Sequence, residues 1–155
     1  MGFQILPLPV SDFAFLFGMD DAGLARNNAC RVRATAKPGF PCRTSLEDAE
    51  PGENLILVHH ISHDVATPYR SAYAIYVREN GVQGRIWKDE LPPVFLGRPI
   101  ALRAFDRAGM LKNAKLALPG EMEAKIEELF DDGNIAYIHA HNAAHGCFAA
   151  RIDRY

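Results

Sequence analysis

Long apolar runs and clusters of one charge sign are both missing from this sequence. No uninterrupted apolar run approaches the ~20 residues of a membrane-spanning helix, and Pro7 and Pro9 interrupt the apolar start, which also lacks the cationic segment of a secretory signal. The 17 basic and 19 acidic residues give a formal charge of −2, and no segment gathers the basic side chains that a nucleic-acid surface requires. We therefore expect a cytoplasmic protein that binds neither membranes nor nucleic acids.

Cysteines are few and too widely spaced for the usual cysteine motifs. Cys30, Cys42 and Cys147 include no Cys-x-x-Cys pair, and an odd number cannot pair completely within one chain. Because thiols stay reduced in the cytoplasm, we expect three free thiols. There is also no Gly-x-Ser-x-Gly elbow, and Gly81 and Gly84 lack the Lys-Ser/Thr sequel of a phosphate loop. Neither a serine hydrolase of that type nor a P-loop enzyme is indicated.

The residues that are present fit one globular domain spanning residues 1–155. Apolar residues make up 48% and charged residues 23% of the chain, which are ordinary globular values. Apolar spacing predicts a helix over residues 119–130 and a shorter helix around residues 20–27. Strand-like runs cover residues 3–8, 30–35, 55–61, 73–78, 100–106, 135–141 and 147–153. Because these runs do not alternate with long helices, we predict an α+β fold, a mainly antiparallel β-sheet covered by one or two helices.

The last two predicted strands are close enough in sequence to form a hairpin. Residues 142–146 separate them, and a connection of that length with a glycine suits such a turn. We expect His141 to pair with Cys147, which assigns the side chains to two faces by alternation. The apolar face, expected to carry the helix of residues 119–130, comprises Ala136, Ile138, Ala140, Phe148, Ala150 and Ile152. The other, here called the histidine face and expected to stay open to a ligand, comprises Tyr137, His139, His141, Cys147 and Arg151.

Histidines cluster in two segments of the chain. The clusters are His59, His60 and His63, and His139, His141 and His145. Two histidines at i and i+2 of a strand point the same way, so His139 and His141 could share a metal ion with His145 or Cys147. Structural zinc sites usually show tighter spacing than this. We therefore expect these histidines to bond neighbouring backbone, and we expect no metal and no cofactor.

A second candidate site is the loop of residues 37–46, in which two prolines restrict the backbone. Arg43, Thr44 and Ser45 offer hydrogen-bond donors to a carboxylate or phosphate group. Arg43 would also favour a reactive Cys42 thiolate if the two side chains meet. Equally, Cys42 could be a small buried apolar group in a rigid turn, as free cysteines often are.

Several short motifs resemble one known family. They are Pro41-Cys42-Arg43-x-Ser45-Leu46-x-Asp48-Ala49-x-x-Gly52-Glu53, Pro68-Tyr69-Arg70, and the ending from His141-Asn142 to Gly146-Cys147-Phe148. Together they resemble a bacterial family catalogued as domain of unknown function 1203, and the resemblance spans nearly the whole chain. It implies a single intact domain and no particular substrate.

The leading hypothesis for function is a binding module for a small polar or anionic metabolite. Its expected ligand-binding residues are Arg31, Arg33, Arg43, Ser45, His139 and His141. Arg31 and Arg33 lie at i and i+2 of a predicted strand, so both can point toward one ligand. This hypothesis requires no catalytic machinery.

Two other functions are compatible with the sequence. One is an enzyme that uses Cys42 or Cys147 as nucleophile and His139 or His141 as base, because a thiolate beside an imidazole is reactive near neutral pH. The other is a structural homodimer or larger homo-oligomer. Its interface would comprise a sheet edge with Phe13, Phe15 and Phe17.

Overall fold

The computed structural model describes residues 2–155 and arranges the strands in two antiparallel sheets. The strands are β1 (Phe3–Leu6), β2 (Ala29–Arg33), β3 (Asn54–His63), β4 (Ser71–Arg78), β5 (Trp87–Lys88), β6 (Ile100–Phe105), β7 (Leu111–Ala117), β8 (Tyr137–Asn142) and β9 (Phe148–Arg154). The larger sheet has the order β5-β1-β9-β8-β6-β7, and the smaller has the order β2-β3-β4. The predicted α+β class is confirmed.

Two α-helices accompany the sheets, both inside the ranges that the sequence predicts. Helix α1 (Asp21–Arg26) begins where the Asp20 carboxylate accepts a hydrogen bond from the Gly23 amide at 2.7 Å, a normal N-terminal cap. Helix α2 (Met122–Phe130) has its acidic Glu123 in the first turn. Within residues 2–155, no helix has the length and apolar character needed to cross a membrane.

Helix α2 covers one face of the six-stranded sheet. Its residues Met122, Ile126, Leu129 and Phe130 are buried in one core with Ile138, Ala140, Ala150 and Ile152 of β8 and β9. The strands nearest to the helix are β6 and β7. Each fully buried side chain of leucine, isoleucine or phenylalanine contributes about 1.5–3 kcal/mol of transfer free energy. The helix shares a core with the apolar face of the hairpin, as predicted, but it lies over β6 and β7 rather than over the hairpin itself.

The register of the β8–β9 hairpin differs from the predicted one. Ala140 pairs with Ala150, but the next pair is His141 with Phe148, so Ala149 is an extra residue. Such a β-bulge rotates the strand and re-aims the side chains that precede it. Phe148 therefore lies on the histidine face. The predicted pairing of His141 with Cys147 and the predicted placement of Phe148 against the helix are both wrong.

The smaller sheet lies against the histidine face. Phe148 belongs to one buried cluster with Ile56, Val58, Ile75 and Val77 of β3 and β4. As a result, only 4% of His139 and 5% of His141 are exposed. The prediction that this face stays open is therefore wrong, because a second sheet covers it.

Candidate functional site

A second β-bulge turns His63 toward the histidine face. Strand β3 pairs regularly with β4 as far as Ile61 and Ala72, but the next pair is His63 with Ser71, which makes Ser62 the extra residue. Strict alternation would have placed His63 on the outer side of β3 together with Ile61. The bulge instead packs its ring against the large sheet, where it is 4% exposed.

Hydrogen bonds fix the orientation of the His63 ring. Its Nδ1 lies 2.9 Å from the carbonyl oxygen of Tyr69, which can only accept, so Nδ1 carries the proton. Its Nε2 is then the acceptor for the Tyr137 hydroxyl at 2.7 Å. The ring centroid of His139 lies 5.0 Å away in an edge-on arrangement. His63 thus joins the two sheets through a hydrogen bond to Tyr137 and through ring contacts with Phe105 and His139.

Arginine side chains flank His139 on both sides. In the sheet register, His139 pairs with Arg103 of β6 and with Arg151 of β9, so the three side chains share one face. Burial, followed by electrostatic interactions with His63, His141, Arg151 and Arg103, lowers the pKa of His139 to about 3. Its Nδ1 atom is buried without a hydrogen-bond partner among residues 2–155. His139 is therefore neutral near pH 7.

His141 is held in a single tautomer. Its Nδ1 donates to the carbonyl oxygen of Gly146 at 2.9 Å, which leaves Nε2 as an acceptor. No group of residues 2–155 hydrogen-bonds to this Nε2 atom. The pKa of His141 is lowered to about 4, mainly by burial and also by the charges of Arg103 and Arg43. The hydrogen bond to Gly146 acts in the opposite direction and raises the pKa.

Arg43 has a buried guanidinium group with no carboxylate partner. The residue is 1% exposed, and its Nη2 donates to the Cys147 sulfur at 3.2 Å. Its Nε and Nη1 atoms have no hydrogen-bond partner in the described chain. The nearby carboxylate of Asp48 is already paired with Arg98 at 2.6 Å. Burial lowers the pKa of Arg43, but arginine keeps its proton in proteins, so an uncompensated charge remains inside.

Arg103 is a second guanidinium group without a partner. It is half-buried and forms no hydrogen bond or ion pair within residues 2–155, and burial is the sole cause that lowers its pKa. Sequence reasoning missed this residue. Alternation with the buried Ile100, Leu102 and Ala104 does assign Arg103 to the opposite face. The sequence does not show, however, that β6 lies beside β8.

We call Arg43, Arg103, His141 and Cys147 the arginine–histidine site. The four residues come from the loop before β3, from β6, from β8 and from the turn before β9. Arg43 contacts Cys147 directly, and both arginines act electrostatically on His141. The site therefore combines two guanidinium groups, one sulfur atom and one imidazole acceptor at the junction of the two sheets.

Three residues of the predicted binding set lie elsewhere. Arg31 donates to Glu79 at 2.6 Å and to the Met19 carbonyl oxygen at 2.9 Å, so its charge is paired and its Nη2 donors are occupied. Arg33 is exposed. Ser45 lines a different cavity of about 600 Å³, formed with residues such as Arg78 and Trp87. The loop of residues 37–46 thus sends Arg43 toward the hairpin and Ser45 away from it.

The cysteines do not form a nucleophile–base pair with the histidines. All three cysteines are free. Cys42 is fully buried, with its sulfur 3.2 Å from the Thr44 hydroxyl and 3.3 Å from the Arg78 amide, which matches the interpretation of a buried structural thiol. No hydrogen bond joins Cys147 to His139 or His141 in the described chain. This geometry does not favour the cysteine–histidine enzyme.

The remaining histidines lie outside the site. His59 and His145 are exposed, and His60 packs beside Phe13 with ring centroids 5.5 Å apart. Among residues 2–155, no three histidine, cysteine, aspartate or glutamate side chains are grouped as metal ligands would be. The predicted homodimer interface includes Phe13, which is buried, and Phe15, which is 59% exposed. The homodimer itself stays a prediction.

Comparison with known proteins identifies one family. Neither the curated proteins nor the solved structures give a match. The model of the family described as "Protein of unknown function (DUF1203)" matches residues 39–154, which cover most of the chain. The matched segment contains every residue of the arginine–histidine site. The chain therefore belongs to the DUF1203 family, as its motifs indicate.

Proposed function

We propose that the protein binds a small oxyanion that also carries a hydroxyl group, and that it does so at the arginine–histidine site. The observation that carries this proposal is the presence of two guanidinium groups, Arg43 and Arg103, without carboxylate partners beside one histidine. Burying a charge without a partner is unfavourable. An anionic ligand would supply the missing partner.

The arginines determine the anionic part of the ligand. Guanidinium groups bind carboxylate and phosphate oxygens through short, charge-assisted hydrogen bonds. Arg43 has its Nε and Nη1 atoms unused, since only Nη2 bonds to Cys147. Arg103 is half-buried and has all its donors unused within residues 2–155. A single small anion therefore fits the donors better than an extended polyanion.

His141 determines the hydroxyl part of the ligand. Because its Nδ1 donates to Gly146, its Nε2 presents a lone pair, which repels a bare anion and accepts an O–H group. The pKa of about 4 keeps the ring neutral near pH 7. Hydrogen phosphate and small hydroxy acids combine an anionic oxygen with such a hydroxyl. Sulfate and simple carboxylates do not.

Matched pairs of probes test both parts of this proposal by isothermal titration calorimetry at pH 7. Inorganic phosphate is compared with sulfate, and glycolate with acetate, because each pair differs mainly in the hydroxyl group. We expect the hydroxylated member to bind more tightly in each pair. Arg103→Gln should weaken its binding by about tenfold or more, since hydrogen bonds to charged groups contribute about 1.5–3 kcal/mol.

Two controls make the result specific to this site. Arg107→Gln changes an exposed arginine in the turn after β6 and should leave binding unchanged. His141→Asn retains a side-chain donor for Gly146 but removes the Nε2 acceptor, and it should abolish the preference for phosphate over sulfate. Equal binding of phosphate and sulfate by the wild type would contradict the hydroxyl part. Unchanged binding in Arg103→Gln would contradict the site itself.

A further inference from the structure

We infer that Cys147 is a modification site whose thiolate is oxidised by hydroperoxides to a sulfenic acid. Cys147 belongs to the arginine–histidine site, but its reactivity does not depend on the binding of an anion. The inference rests on the contact between Cys147 and Arg43, on the unused donors of Arg43, and on the differing surroundings of the other two cysteines.

The positive charge of Arg43 lies against the sulfur of Cys147. The Cys147 sulfur is the single hydrogen-bond partner of this guanidinium group in the described chain, at 3.2 Å. Arg43 is 1% exposed, so water does not screen the interaction. Interaction with Cys147 opposes the effect of burial on Arg43 by stabilising its charged form. The guanidinium group therefore lies where it can interact favourably with negative charge that develops at the reaction centre.

The unused donors of Arg43 suit the chemistry of peroxide reduction. The thiolate sulfur attacks one oxygen of the hydroperoxide, an S–O bond forms, and the O–O bond breaks. The sulfur is oxidised by two electrons, and the leaving oxygen departs with the electron pair as hydroxide or alkoxide. The Nε and Nη1 groups of Arg43 have no partner in residues 2–155 and can stabilise that developing negative charge. Cys147 is half-buried, which suits a small oxidant such as hydrogen peroxide.

The other cysteines provide internal controls. Cys30 is exposed on β2 and forms no hydrogen bond to a cationic side chain among the described residues. Cys42 is fully buried, and its sulfur is held by Thr44 and by the Arg78 amide. If access alone determined reactivity, Cys30 would react first. If the guanidinium contact determines it, the half-buried Cys147 reacts before the exposed Cys30.

Competitive labelling of the intact protein distinguishes these outcomes. Wild-type protein in a buffer without phosphate or carboxylates is treated with hydrogen peroxide and dimedone, which traps sulfenic acids, and its peptides are quantified by mass spectrometry. We expect the adduct on Cys147 to exceed that on Cys30 at least tenfold. In parallel, alkylation by iodoacetamide at pH 7 should be faster at Cys147 than at the more exposed Cys30. Equal or faster reaction of Cys30 in both assays would overturn the inference.

The variant Arg43→Met tests the cause of the reactivity. It should reduce the Cys147 to Cys30 labelling ratio at least tenfold, while a circular dichroism spectrum like that of the wild type shows that the fold is kept. An unchanged ratio in the folded variant would overturn the role of Arg43. If the variant does not fold, the Cys147 to Cys30 ratios of the wild type in the two labelling assays decide the inference. The anion-binding proposal is tested in other buffers with other probes, so either proposal can fail alone.

Discussion

The two faces of the six-stranded sheet are both buried, but they are buried in different ways. The face under α2 belongs to a core of buried aliphatic and aromatic residues. The histidine face lies under a second sheet and carries imidazoles and arginines, and some of its polar atoms have no partner within residues 2–155. Burial of the face under α2 stabilises the fold, because apolar surface leaves water and few polar groups have to lose their hydrogen bonds to water. The histidine face contains buried imidazole and guanidinium groups with atoms that have no hydrogen-bond partner in the described chain, and such groups are typical of binding and reactive sites.

The largest expected effect tests whether the histidine face is packed as tightly as the apolar one. Phe148→Ala should lower the free energy of unfolding by about 3–5 kcal/mol, because the ring is 3% exposed between the two sheets. Urea unfolding measures this value. The matched control Phe15→Ala removes a ring that is 59% exposed and should cost less than ~0.5 kcal/mol. A small effect at Phe148 would mean that the sheets do not pack as described.

A smaller effect is expected in the pH dependence of the unfolding free energy, because His141 lies on the histidine face and the face under α2 has no such group among residues 2–155. The pKa of His141 is about 4 in the folded protein and 6.5 ordinarily, so the unfolded chain takes up a proton first as pH falls. Stability is therefore complete above pH 6.5 and is lost between pH 6.5 and 4, by about 1.4 kcal/mol per unit.

The variant His141→Asn isolates this contribution. Between pH 7 and 4.5 its unfolding free energy should fall by about 2–3 kcal/mol less than that of the wild type. Denaturant titrations at several pH values measure the difference. Parallel curves for the two proteins would show that the folded His141 does not have a lowered pKa.

A still smaller effect is expected at the polar contact that joins the sheets. Tyr137→Phe removes the donor for His63 Nε2, and leaving that buried acceptor unsatisfied should cost about 1–2 kcal/mol. Tyr73→Phe is the control, since Tyr73 is 57% exposed. Chemical unfolding of both variants gives the comparison. Equal stabilities would indicate that the hydroxyl of Tyr137 contributes nothing to the contact between the sheets.

The smallest expected effect concerns Arg43. Replacing a buried, unpaired guanidinium with an apolar side chain of similar length should leave stability unchanged or raise it by about 1 kcal/mol. Arg98→Met is the contrast, because it removes the partner of Asp48, which is 6% exposed, and should cost about 3–5 kcal/mol. Thermal unfolding of both variants measures this. A severe loss of stability in Arg43→Met would show that Arg43 serves the fold rather than a ligand or Cys147.

The sequence predicted the periodic parts of this fold and missed the irregular ones. Apolar spacing predicted both helices, the α+β class and the apolar face under α2, because these features repeat along the chain. Strand β7 was missed because it is an edge strand whose side chains are mostly exposed. The covering of the histidine face was missed because pairing between distant strands leaves no local pattern.

The candidate site was predicted only in part for a related reason. Arg43, His141 and Cys147 were visible as polar residues in a loop and a hairpin, but Arg103 depends on the pairing of β6 with β8. His63 reaches the histidine face through a bulge at Ser62, and no residue type marks that position. Arg31 looked equally suitable in sequence, yet Glu79 neutralises it.

The extra residue Ala149 interrupts the alternation of side chains along β9, so even-numbered residues face the helix after it and the histidine side before it. Counting by twos from Ile152 reaches Ala150 correctly and then assigns Phe148 to the wrong side of the sheet. If Ala149 were deleted, Phe148 would come directly before Ala150 and would still face the histidine side by regular alternation, whereas a strand that kept Ala149 without the bulge would turn Phe148 toward the helix. The bulge at Ala149 therefore lets this hairpin carry one more residue while Phe148 stays opposite His141.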